Sequence, residues 1–161
     1  MARGRKKSIL EECPEEVYKL KGEIIDKFFP DLINAKFKML FYDKKKVSRG
    51  RSTLAYIRCA SDVEKLLSKE STPEELDYFI FIDKNVWTEI SPIDRTRLVR
   101  HELRHCFVDL EANKPYKLIG HDVEDFYAEI ELATEEGDLR WCERVNTVAE
   151  SIYEKKKDDK S

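Results

Sequence analysis

The chain has 161 residues and a mass of 19.0 kDa, enough for one sizeable core and hardly for two. Its 30 Lys and Arg stand against 33 Asp and Glu, giving a net charge of −3 and a pI of about 5.8, a balance that argues against a protein whose main task is coating nucleic acid. A 41% hydrophobic and 11% aromatic content excludes a disordered chain despite 39% charged residues, and no apolar run reaches the 18 residues of a membrane-spanning helix.

The N-terminal MARGRKKSIL is basic but lacks an apolar core and cleavage site, so it does not read as a secretory signal. Arg3 to Lys7 form a basic run that could touch nucleic acid; residues 1–10 read as a tail. Pro14 opens an amphipathic helix that ends before Pro30, with Val17, Leu20, Ile24 and Phe28 on its apolar face. Lys36 to Tyr42 is an aromatic-rich strand, the basic stretch Lys44 to Arg51 a turn or loop, and Leu54 to Arg58 a second strand. Ser61 caps a short helix through Leu67, and Asp77 to Ile82 is a third, apolar strand.

Ser91-Pro92-Ile93-Asp94 places an N-cap serine, a first-turn proline and an acid at the third position, predicting a helix to about Leu110. Its apolar face is Val99, Leu103, Cys106, Phe107 and Leu110. A loop around Pro115 follows, then a helix starting near His121 and ended or bent at Gly137. A last helix carries Leu139, Cys142, Val145, Ala149 and Ile152, and residues 155–161 form a charged tail. The order of helix, strands and helices predicts a single small α+β domain over residues 11–154, with a short mixed sheet. Cys13, Cys59, Cys106 and Cys142 are scattered without a CxxC pair, which argues for a reducing, cytoplasmic setting over a disulfide framework.

The Ser91-capped helix contains HELRH, residues 101–105. Two histidines four apart share one helical face, a spacing that suits two ligands of a tetrahedral zinc ion. Glu102, directly after the first, can reach a metal-bound water and take its proton. A catalytic zinc takes three protein ligands and keeps one position open. His121, the third histidine of the chain, is the natural third ligand, with Glu124 its competitor three residues on. Asp122 and Asp125 read as first-turn acids of the following helix. Tyr127 is a candidate transition-state stabiliser, with Tyr116 also near in sequence. Arg104 faces solvent or an acid such as Glu124, and Asp109 is either a partner orienting the His105 ring or a solvated residue. Cys106 reads as a small core residue.

HELRH followed by GHDVEDF resembles the phage metallopeptidases, a small zincin-like family. It is also similar to the SprT/Spartan-like metallopeptidases, in which HExxH is followed by a Gly-His and a Glu-Phe pair. Here those positions are Gly120, His121, Glu124 and Phe126, offset at the aromatic. The lead-in YFIFIDKNVWTEISP adds to the resemblance, which spans roughly residues 77–130. It implies a zincin-like fold and a gene of phage or prophage origin. It also implies His101, His105 and His121 as ligands of one Zn(2+) per chain and Glu102 as catalytic acid/base. The Cys-rich zinc ribbon common after Spartan-like cores is missing from this sequence.

Together these features predict a zinc-dependent metallopeptidase acting on peptide or protein substrates, without a membrane partner. Two rivals are a three-His metal-dependent nuclease and a non-catalytic binding protein stapled by zinc. If the strand Asp77 to Ile82 lay at a sheet edge, an extended substrate could pair with it; otherwise it is an ordinary interior strand.

Overall fold

Alternation of large apolar side chains in two six-residue runs fixes the centre of the fold. The computed structural model describes residues 9–71, 75–122, 124 and 126–160; the run Arg3 to Lys7 and Asp125 lie outside them. In chain order the first elements are β1 (Leu10–Glu12), α1 (Glu15–Phe28), a 3-10 turn (Pro30–Leu32) and β2 (Phe37–Tyr42). A small hairpin of β3 (Lys46–Ser48) and β4 (Arg51–Thr53) precedes β5 (Ala55–Cys59), α2 (Asp62–Ser71) and β6 (Tyr78–Asp83). Then come α3 (Lys84–Glu89), α4 (Pro92–Arg104), β7 (Cys106–Val108) and β8 (Tyr116–Leu118), followed by α5 (Tyr127–Glu135) and α6 (Trp141–Asp158).

The main sheet has the order β1-β2-β6-β5. β6 runs parallel to β2 and antiparallel to β5, and all six of its residues are buried. Successive side chains of a strand point to opposite faces. Phe37, Met39 and Phe41 of β2 and Tyr78, Ile80 and Ile82 of β6 therefore share the core with Val17, Ile24 and Ile25 of α1 and Val99 and Leu103 of α4. The alternate residues Phe79 and Phe81 join Tyr42 and Ala60 in a second cluster on the other face. A strand buried on both faces reads as a continuous apolar run, as YFIFI does. The strand expected at Asp77 to Ile82 is thus interior, and the sheet edges are β1 and β5.

Three segments differ from the sequence reading. The stretch Lys44 to Arg51 is no plain loop: it enters a hairpin whose two-residue turn has positive φ at Arg49 (51°) and Gly50 (75°). This is the primed turn geometry that matches strand twist. The helix expected to reach Leu110 stops at Arg104, because Cys106, Phe107 and Val108 pair as a strand with Leu118, Lys117 and Tyr116. Phe107 and Leu110 are accordingly exposed rather than on a buried helix face. Finally, the helix expected near His121 begins only at Tyr127, so His121 and Glu124 share no helical face.

The described residues group into two compact units that divide between Ile119 and Gly120. The second contains α5, closed by Gly137 at φ +70°, and α6, whose first turn is tied back by Arg144 donating to both Asp138 carboxylate oxygens (2.9 and 2.8 Å). Among the described residues no helix is long and apolar enough to cross a membrane.

Candidate metal centre

The site is built on α4, whose start and seating are set by local chemistry. The Ser91 hydroxyl accepts from the Asp94 amide at 3.2 Å, Pro92 occupies the first turn, and the Arg95 Nε donates to the Trp87 carbonyl at 2.8 Å. Such a cap satisfies an amide that the helix itself leaves without a partner. Val99 and Leu103, both fully buried, press α4 onto the sheet. His101 is consequently turned outward in the last helical turn, and His105 occupies the C-cap position. The carbonyl end of a helix favours positive charge, whether an imidazolium or a metal ion.

Two partly buried contacts carry the order of the core out to His105. Tyr78, fully buried in β6, donates its hydroxyl to the Lys117 carbonyl of β8 at 2.9 Å, and the Cys59 thiol donates to the Tyr116 carbonyl at 3.8 Å. With β8 so fixed, Ile119 at its end meets His105 twice. The Ile119 amide donates to the His105 carbonyl at 2.7 Å, and the Ile119 carbonyl lies 2.7 Å from His105 Nδ1. A carbonyl only accepts, so Nδ1 carries the proton and Nε2 presents its lone pair. Fixing the tautomer from behind in this way orients an imidazole for metal binding.

The rings of His101 and His105 stand edge to face with centroids 5.3 Å apart. His121 follows Ile119 by two residues. One ligand atom from each of His101, His105 and His121 lies within 4.8 Å of the other two. This donor set fits a metal: imidazole nitrogens suit a borderline ion such as zinc.

Glu102, unlike the outward-turned His101, is buried. It is only 6% exposed. Burial raises its pKa above the ordinary carboxylate value, with the charge of His105 pulling the other way. A buried carboxylate so placed holds a proton more readily than a solvated one.

The remaining sequence candidates fall elsewhere. Arg104 is exposed, with its guanidinium over the Phe29 ring at 5.0 Å. Asp109 accepts from the Glu111 amide at 3.2 Å and pairs with Lys117 at 3.9 Å, so the backbone of Ile119, not Asp109, orients His105. No side-chain type in the sequence announces that carbonyl, and only the β7–β8 pairing delivers it. Tyr116 packs edge-on against Tyr78 at 5.9 Å, and burial pushes the Cys106 thiol up to about 12, as befits a core residue. Glu124 is exposed outside any helix. Tyr127, 78% exposed, is the first residue of α5 in the second unit.

One family's sequence model, described as putative phage metallopeptidase, matches residues 10–153. No curated protein and no solved structure matches the chain significantly.

Proposed function

The chain belongs to this phage metallopeptidase family, and from that membership we propose that it is a zinc-dependent peptidase with His101, His105 and His121 as ligands and Glu102 as general base and acid. The observation that carries the reading is the convergence of three imidazoles, one of them held in the ligating tautomer by the Ile119 carbonyl. Bound there, a zinc ion would supply Lewis acidity, acidifying water and polarising the scissile carbonyl.

The chain's own residues supply the rest. Ile119 and the partly buried Tyr78–Lys117 bond keep His105 from swinging away. Glu102, one residue past His101 and next to the exposed face of α4, accepts the proton of the attacking water on a carboxylate oxygen and returns it to the leaving amine. Its burial matters here, since a carboxylate whose pKa is raised is the stronger base toward the proton of water. An enzyme reading is favoured over a zinc staple because structural zinc sites are closed and rich in thiolates, whereas no cysteine joins this cluster.

Incubation of the zinc-loaded full chain with unfolded casein tests the proposal. Fragments are expected, their formation stopped by 1,10-phenanthroline and restored by added Zn(2+). Cleavage that persists in the chelator would contradict it.

A further inference from the structure

The β3–β4 hairpin is the most one-sided charged feature among the described residues. Lys44, Lys45, Lys46, Arg49 and Arg51 fall within eight positions, and no acid interrupts residues 44–53. Every residue from 44 to 52 is exposed. The two strands pair only with each other, with Lys46 opposite Thr53, Val47 opposite Ser52 and Ser48 opposite Arg51.

Several cations elsewhere on the surface pair with carboxylates: Arg58 with Glu64, Lys38 with Glu12, Lys114 with Asp62, Arg144 with Asp138. Lys44, Lys45 and Arg51 form no ion pair among the described residues. Lys46 instead roots the hairpin, donating to the Tyr56 hydroxyl at 2.7 Å and lying over the Tyr56 ring at 4.2 Å. Tyr42 adds a second anchor by donating to the Thr53 carbonyl at 2.7 Å. The ribbon is therefore held at its base, and its unmatched cations project outward.

We propose that this hairpin is a docking arm for the phosphate backbone of duplex nucleic acid. Unpaired Lys and Arg gain free energy on such a polyanion by releasing its condensed counterions, and little desolvation opposes them. Ser48, Ser52 and Thr53 interleave hydroxyls, the other side-chain type that contacts phosphate oxygens. Residues 44–53 include no aromatic side chain, so the stacking platform that single strands require is missing. They also offer only Val47 as an apolar group, far short of the aromatic centre that anchors a protein partner. The arm engages the backbone irrespective of base sequence and so brings the chain to duplex nucleic acid.

The test is fluorescence anisotropy with a fluorescein-labelled DNA duplex of about 20 base pairs, using the full chain at low and moderate salt. The variant K44Q/K45Q/R51Q leaves the Lys46 and Tyr42 anchors intact, and circular dichroism checks its fold. The parent should bind the duplex. The variant should bind at least tenfold more weakly, and its log Kd against log salt should be shallower by roughly 2–3 charges. Equal binding by parent and variant would overturn the proposal. So would a stronger preference for a labelled single strand or for polyglutamate, or loss of binding only when Arg3, Arg5, Lys6 and Lys7 are neutralised. None of these readouts depends on the metal centre, so the arm and the peptidase reading stand or fall separately.

Discussion

Replacing Glu102 by Gln should leave fold and zinc content unchanged and lower peptide hydrolysis by about 10²–10⁴-fold, the usual contribution of a positioned general base. The amide has nearly the shape of the carboxylate but cannot take a proton from water. Glu102 is 6% exposed, and Gln keeps nearly its volume, so the packing around it should hold. The substitution also removes a charge that burial disfavours, so thermal stability should hold or rise. Zinc content measured beside the turnover separates loss of the base from loss of the metal. A variant that retains zinc and hydrolyses casein at the parent rate would remove Glu102 from the mechanism.

The second large effect is expected from the ligands. His101→Ala, His105→Ala and His121→Ala should each weaken zinc binding by at least about 100-fold, beyond what loss of an orienting partner costs. Competition against a chromophoric chelator reads this directly. Arg104→Ala and Glu124→Ala are the informative controls. Arg104 engages the Phe29 ring, and Glu124 competes with His121 for the third position on the sequence reading alone. Zinc loss in Glu124→Ala with retention in His121→Ala would transfer the third ligand to the carboxylate.

Local signals with a single physical meaning were legible in the sequence. Ser91-Pro92-Ile93-Asp94 marks a helix start because cap, ring constraint and dipole agree, and α4 begins there. YFIFI predicts a buried strand, and β6 is one. The helix end was not legible. Leu103, Cys106, Phe107 and Leu110 continue a helical spacing, yet Cys106–Val108 form a strand whose partner lies about ten residues on. A short apolar run supports either state, and a non-local pairing decides between them. The same pairing brings Ile119 to His105, so the bond that orients the His105 ring was hidden for the same reason. His101, Glu102 and His105 could be singled out from spacing alone. Their burial could not, since Glu102 turns inward only because Val99 and Leu103 seat α4 on the sheet. The basic stretch Lys44 to Arg51 was visible as a turn or loop, but its pairing into an exposed hairpin was not.

The central claim is that three histidines hold one zinc ion, and metal content tests it most directly. Plasma mass spectrometry on the full chain, purified without chelators or a polyhistidine tag, should find about one zinc per chain. A folded chain that carries no zinc and takes up none when it is added would contradict the account.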